Sequence, residues 1–177
     1  MERILLRREA IAKRVQELGE EISAQRNGTS EPLLAVTILR GAVIFAADLV
    51  REIKGPVELD FMAVSSYGNN SVSHGAVRVI KDLTEDIAGR DVLLVEDIVD
   101  TGHTVRFLLD TLSERGPRSL KVCALLDKAD RREVEVPIDY IGFRIPDAFV
   151  VGYGLDYAGR FRNHPEVLAL RSEALSS

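Results

Sequence analysis

At 177 residues the chain is long enough for one domain with a full core, and 46% hydrophobic with 29% charged residues is the balance of an ordinary globular protein. The net charge of −5 gives no general reason to expect nucleic acid or an anionic membrane as a partner, although it leaves room for a local basic patch. A single cysteine, Cys123, rules out an intramolecular disulfide framework, and neither a signal-peptide core nor a membrane-length apolar run is present, so a cytoplasmic protein is expected.

Ile11, Val15, Leu18 and Ile22 recur at helical spacing and predict an amphipathic helix, which Asn27-Gly28-Thr29-Ser30 breaks. Leu33 to Ile38 reads as a buried strand and Ala42 to Ile53 as the helix after it. From Val57 to Val64 apolar and acidic residues alternate, which predicts a half-exposed strand. Residues 65–75 are rich in Ser, Asn and Gly with little to anchor them, so a mobile loop is expected. Val77 to Ile80 suits a short strand and Val92 to Val95 the central one. Val105, Leu108, Leu109 and Leu112 mark a helix that Gly116-Pro117 ends. Leu120 to Leu126 is a further strand, with Cys123 as a buried, inert thiol. Short strands follow near Ile138 to Phe143 and Phe149 to Tyr153. The alternation predicts a single α/β domain: a parallel sheet flanked by helices, core about 33–145, with a small hood from about 1–10 and 146–177.

The chemistry concentrates in Val92 to Thr104. An apolar run stops at Glu96 and Asp97, passes Ile98 and Val99 to a third acid, Asp100, and continues through Thr101, Gly102, His103 and Thr104 into a helical pattern. The carboxyl end of a buried parallel strand is where α/β proteins place ligands. Small residues, hydroxyls and backbone N–H groups at a helix N-terminus suit a phosphate. Paired carboxylates suit vicinal hydroxyls and a divalent cation. The combination points to a magnesium-bound sugar phosphate, against the plainer reading of a solvated acidic turn.

This segment resembles the phosphoribosyl-pyrophosphate signature of the type I phosphoribosyltransferases. Leu39-Arg40-Gly41, Ser66-Tyr67-Gly68, Leu126-Asp127-Lys128, and Ile145-Pro146-Asp147 running into residues 149–157 resemble the hypoxanthine-guanine phosphoribosyltransferases in their bacterial form. The similarity runs from about the first helix to Arg162, with all motifs in order.

The resemblance implies that fold, Mg2+ as cofactor, and phosphoribosyl pyrophosphate and a 6-oxopurine as substrates. Glu96 and Asp97 would hold the ribose hydroxyls and magnesium. Asp100 would face N7 of the purine, either as general base or by stabilising the base as it transfers. Thr101, Gly102 and Thr104, with the intervening backbone at His103, would cradle the 5-phosphate, and Ile98 and Val99 belong to the same binding signature. Arg40, between Leu39 and Gly41, would meet pyrophosphate after a cis peptide at Leu39–Arg40. Ser66 and Tyr67 would lie in a loop that closes over the site and excludes water. Lys128 would donate to the purine O6, Phe149 would stack on the ring and the Val150 backbone would meet the base edge. Asp156 would act near the purine and through water on a second metal, and Arg162 would bind pyrophosphate. His103 stands where Lys or Asn is more familiar, and the loop from Asn69 to His74 carries more Asn than is typical. His74 and His164 lack a Cys or acid at ligand spacing and are read as exposed or lightly hydrogen-bonded.

The resemblance also implies a homodimer or homotetramer. Two alternatives stay open on sequence: a phosphoribosyl-pyrophosphate sensor that binds RNA or DNA, for which Arg3, Arg7, Arg8, Lys13 and Arg14 are the basic cluster, and a transferase acting on xanthine or a pyrimidine. The acidic net charge and the presence of every purine-site residue favour an enzyme that binds neither nucleic acid nor membrane.

Overall fold

The computed structural model describes residues 3–26, 30–66 and 77–170. In chain order the elements are β1 (Arg3–Leu6), α1 (Arg8–Gln25), β2 (Leu33–Leu39), α2 (Val43–Glu52), β3 (Val57–Ser66), β4 (Val77–Lys81), β5 (Asp91–Val99), α3 (His103–Ser113), β6 (Ser119–Asp127), β7 (Tyr140–Arg144), β8 (Phe149–Val151) and β9 (Val167–Leu170). A short 3-10 turn, Ala129–Arg131, follows β6.

β2 and β5 are apolar on both faces because both faces are covered. Leu33, Ala35, Leu93 and Val95 point into a core shared with Phe45, Ala46 and Leu49 of α2 and Ile11, Val15, Leu18 and Ile22 of α1. Leu34, Val36, Val92 and Leu94 point the other way, against Val105, Leu108 and Leu112 of α3. The main sheet has the order β4-β3-β2-β5-β6-β7. All its pairs are parallel except β3 with β4. β2 hands the chain to β3 on one side and β5 hands it to β6 on the other. The carboxyl ends of β2 and β5 therefore flank a topological switch point, where an open α/β sheet leaves a crevice.

The strand expected over Val92 to Val95 does not end with the apolar run. β5 continues through Glu96 and Asp97 to Val99 because pairing with β6 persists, Glu96 opposite Ala124 and Val99 opposite Asp127. The acids therefore sit on a strand, held by its ladder. β3 likewise runs past Val64 to Ser66, where it pairs with Val77. Tyr67 and the rest of the expected loop, to Gly75, lie outside the described residues, as does His74.

The hood is a second sheet, β1-β9-β8, antiparallel throughout. Val151, Leu168 and Leu170 form its own small core, while Val150, Tyr153, Leu155 and Val167 join it to the main one. The Tyr153 hydroxyl donates to Asp48 Oδ2 at 2.6 Å, tying hood to α2. Burial and that bond raise the Tyr153 phenol far above its usual range, so it stays protonated and able to donate to Asp48. Cys123 is fully buried and burial pushes its thiol up, which leaves it inert as expected.

α1 packs on α2 through a glycine. A Cβ on Gly19 would lie 2.7 Å from the Glu52 carbonyl carbon and oxygen. Alanine stabilises an ordinary helix interior by about 1 kcal/mol over glycine, but overpacking costs about 1–3 kcal/mol. Gly19→Ala is therefore expected to lower the unfolding free energy by up to about 2 kcal/mol in urea titration, in place of the gain that helix propensity alone would give.

Candidate active site

The crevice at the switch point is narrow because one wall has no side chain. A Cβ on Gly41 would overlap the Asp97 carboxylate, so the turn after β2 approaches β5 only with glycine there. The preceding peptide, Leu39–Arg40, is cis, as the resemblance implied, and Arg40 is exposed beside it. From above, the hood closes on the same turn: Gly154, at φ +100°, leaves no room for a Cβ against the Gly41 carbonyl.

Glu96 is 4% exposed, and its Oε1 has no hydrogen-bond partner among the described residues. Burial, then the charge of Asp97, pushes the Glu96 carboxyl well above its ordinary value. Burial also lifts Asp97 to about 6, against the pull of the Ile98 N–H and Arg162 and with the further push of Asp156. Asp97 Oδ1 accepts from the Ile98 N–H at 2.9 Å. Asp156 and Arg162 form an ion pair at 2.5 Å, and Arg162 also donates to the Gly154 carbonyl at 2.7 Å. Among the described residues no three His, Cys, Asp or Glu side chains converge on a ready-made cation site, so Asp156 does not complete a cluster with Glu96 and Asp97. Around Asp156 and Arg162 the backbone is left-handed at three residues that are not glycine, Tyr153, Ala158 and Phe161. Such conformations persist where surrounding structure enforces them.

Beyond β5 the chain turns sharply into α3. Gly102 is its N-cap at φ +94° and has no side chain to satisfy the first N–H groups of the helix. A Cβ there would run into the Val134 carbonyl. The turn is splinted from behind by residues 132–135. The Glu133 and Val134 N–H groups donate to the Thr101 carbonyl at 2.9 and 3.0 Å, and Arg132 Nε donates to the Asp100 carbonyl at 3.2 Å. Arg132 also pairs with Asp127, a carboxylate 3% exposed at the end of β6. His103 Nε2 lies 3.0 Å from Glu133 Oε2, both exposed.

Lys128 follows Asp127 and is 7% exposed, with its N–H bonded to the Val99 carbonyl at 2.9 Å. Its ammonium lies 3.7 Å from Asp100 Oδ2 and 3.7 Å from Asp147 Oδ1. Arg131 faces the same two acids, at 3.1 Å from Asp100 and 3.5 Å from Asp147. At the start of β8, Phe149 is 41% exposed and meets Tyr157 edge-on at 5.5 Å, which leaves a ring face open. Val150, next in the strand, is buried.

The structure thus gathers Gly41, Asp97, Asp156 and Arg162 at one side of the end of β5 and Asp100, Lys128 and Asp147 at the other, with Glu96 buried next to Asp97 on the strand. The pairing of Arg131 and Asp147 with these residues was not anticipated. The signal for Arg131 was present in Asp127-Lys128-Ala129-Asp130-Arg131-Arg132, a mixed-charge run at the end of a buried strand. His164 is half-buried, its Nδ1 accepting from the Glu166 N–H at 3.2 Å, in keeping with a lightly hydrogen-bonded histidine.

A largely parallel sheet with carboxylates at its switch point, an uncapped helix N-terminus beside them and a small antiparallel hood form a site suited to a ligand that carries both phosphate and hydroxyl groups. Residues 3–158 match the phosphoribosyl transferase domain family. The chain is 45% identical over 177 residues to the hypoxanthine-guanine phosphoribosyltransferase of Bacillus subtilis (strain 168), covering all of this chain and 97% of that one. It is 54% identical over 164 residues to the Mycobacterium avium hypoxanthine-guanine phosphoribosyltransferase, covering 90% and 81% of the two. A crystal structure of a hypoxanthine phosphoribosyltransferase from Staphylococcus aureus superposes with a TM-score of 0.92 at 40% identity, over 99% of this chain and 94% of that one. The chain belongs to the phosphoribosyltransferase family.

The acid pair has a consequence for stability. A carboxyl whose folded value is raised stabilises the fold only while protonated. That contribution is whole below the unfolded value, about 4, and is lost as pH rises through about 6. In ligand-free protein, Asp97→Asn should raise unfolding free energy near pH 8 by on the order of 1–3 kcal/mol, with the gain vanishing near pH 4. Urea unfolding at the two pH values measures this.

Proposed function

We propose that the chain transfers the 5-phosphoribosyl group from phosphoribosyl pyrophosphate to N9 of a 6-oxopurine, hypoxanthine and guanine, releasing pyrophosphate in purine salvage. The observation that carries this reading is the Glu96–Asp97 pair at the switch point: Glu96 is buried with one oxygen that has no partner among the described residues, and Asp97 is half-buried beside the Gly41 turn. A structure that keeps two carboxyls there at a cost to its own stability is built for a ligand that rewards them. Ribose 2- and 3-hydroxyls donate to carboxylates, and a hard cation prefers their oxygens.

Magnesium fits these donors. Glu96 and Asp97 would hold it together with substrate oxygens and water, as Mg2+ is usually held, and Asp156, engaged by Arg162, would act through water. When bound, the ion would neutralise the departing pyrophosphate. Leu39, Arg40 and Gly41 would line the pyrophosphate, with Arg162 opposite. Thr101, Gly102, His103 and Thr104 would receive the 5-phosphate on the N-terminus of α3, where backbone N–H groups and the helix dipole favour an anion. Ile98 and Val99 hold the acids in register through the ladder to β6.

On the purine side, Lys128 and Asp100 stand next to each other as donor and acceptor. A 6-oxopurine presents the complementary pair on one edge, the O6 acceptor and the N7 position. Adenine would turn an N–H toward an ammonium, leaving both unsatisfied. Phe149 would stack on the ring and the Val150 backbone would meet its edge. In the reaction the bond from ribose C1 to the pyrophosphate oxygen breaks as the bond to N9 forms, and Asp100 manages the purine proton. Ser66 and Tyr67 would belong to the segment that shields the site from water.

We further read the chain as a cytoplasmic homodimer or homotetramer that binds neither nucleic acid nor membrane. Exposed Val43 and Ile44 on α2, with Leu59 on β3 and Ile80 on the edge strand β4, support self-association. No helix among the described residues is long and apolar enough to cross a membrane.

Nucleotide formation followed by absorbance, with magnesium and phosphoribosyl pyrophosphate, tests the reading. Hypoxanthine and guanine should turn over, adenine and uracil should not, and omitting magnesium should abolish the rate. Asp100→Ala should lower kcat by about 10²–10⁴-fold. Lys128→Ala should lower kcat/KM for hypoxanthine by about 10²-fold or more and narrow the gap to adenine. Binding of phosphoribosyl pyrophosphate without turnover of any base would overturn the enzyme reading in favour of a sensor.

A further inference from the structure

Asp100, Lys128, Asp147 and Arg131 close a ring of alternating charge. Each cation faces both acids, with Lys128 at 3.7 Å from each and Arg131 at 3.1 Å from Asp100 and 3.5 Å from Asp147. The closest contact in the ring is the hydrogen bond from Arg131 Nε to Asp100 Oδ1. The two cations differ in what a bound purine would leave them. Lys128 would turn to the O6 carbonyl, which takes its charge from Asp100 when the carboxylate must meet N7. Arg131 has no such second task, and it stays in register with Lys128 because the turn that carries it is closed by its own N–H on the Lys128 carbonyl at 3.0 Å.

That turn is anchored independently of Arg131. Arg132 grips Asp127 at the end of β6 and the Asp100 carbonyl, and the next two N–H groups hold Thr101. Successive arginines thus treat Asp100 differently, Arg132 fixing its main chain and Arg131 its carboxylate. Asp147, on the connection between β7 and β8, steadies the Arg131 guanidinium from the far side. The Arg131 side chain is 46% exposed, so it contributes little to the core, and a role in the fold does not account for its placement.

Resting on the purine reading of Asp100 given above, we propose that Arg131 is a positioning residue that holds the Asp100 carboxylate against the N7 edge of the base while Lys128 is committed to O6. Without it Asp100 would be free to rotate toward solvent or back onto Lys128. A misplacement of about 1 Å at a catalytic group is enough to cost about 10²-fold in rate.

The test is a double-mutant cycle with Asp100→Asn, read as separate kcat and KM values. Arg131→Gln should lower kcat by about 10- to 100-fold, leave KM for phosphoribosyl pyrophosphate within about twofold and leave the melting temperature unchanged, and Arg131→Lys should recover part of the rate. In the Asp100→Asn background Arg131→Gln should cause no further loss, because the group it positions is gone. Unchanged kcat in Arg131→Gln, or losses that multiply in the double variant, would overturn the proposal and leave the role of Asp100 standing. Full activity in Asp100→Asn alone would overturn both.

Discussion

The constraint on which the rest of this structure depends is the placement of two neighbouring carboxyls, Glu96 and Asp97, inside a strand at the centre of the sheet. Burial raises both, and one oxygen is left without a partner among the described residues. Such a pair destabilises the chain that carries it, so the surroundings have to hold it rigidly. β5 does so from inside a six-stranded sheet covered on both faces. Gly41 lets the turn after β2 come against Asp97, and Gly154 lets the hood come against Gly41. Three segments distant in sequence thereby meet at one point because two of them lack a side chain there.

The second organising feature is the stretch from Asp127 to Glu135. It leaves β6, places Lys128 beside Asp100 and Asp147, turns once, and then lies behind the Asp100–Gly102 turn as a backbone splint. The Arg132–Asp127 pair is buried enough that its partners' loss would leave an uncompensated charge. Its value lies in joining the end of β6 to the turn after β5, so that Lys128 and the loop that leads into α3 are tied together. A transferase that must align two substrates on either side of a single ribose carbon gains from that rigidity.

Much of this was legible in the chain. The apolar runs at Leu33 and Val92 could only be strands covered on both sides, and the spacing in α1 and α3 could only be helical. The acid triplet and the residues after it were visible because chemistry there is local in sequence. Less legible were features set by tertiary pairing. The acids seemed to lie past the strand, yet β6 carries the ladder through them. β1 and β9 are four residues each and form a sheet only with one another and β8, a partnership that no local pattern reveals. Arg131 and Asp147 lie sixteen residues apart and meet only because the ends of β6 and β7 are neighbours. The left-handed backbone at Tyr153, Ala158 and Phe161 left no mark in the sequence, since none of these residue types favours it.

The central claim is that the acid pair is kept for a ligand that ionises it. Calorimetric titration of magnesium phosphoribosyl pyrophosphate near pH 6, in buffers of different ionisation enthalpy, counts the protons exchanged on binding. The account predicts a release from the native protein that shrinks in Asp97→Asn by the share of that carboxyl. Equal proton counts in the two proteins, or uptake in place of release, would contradict it.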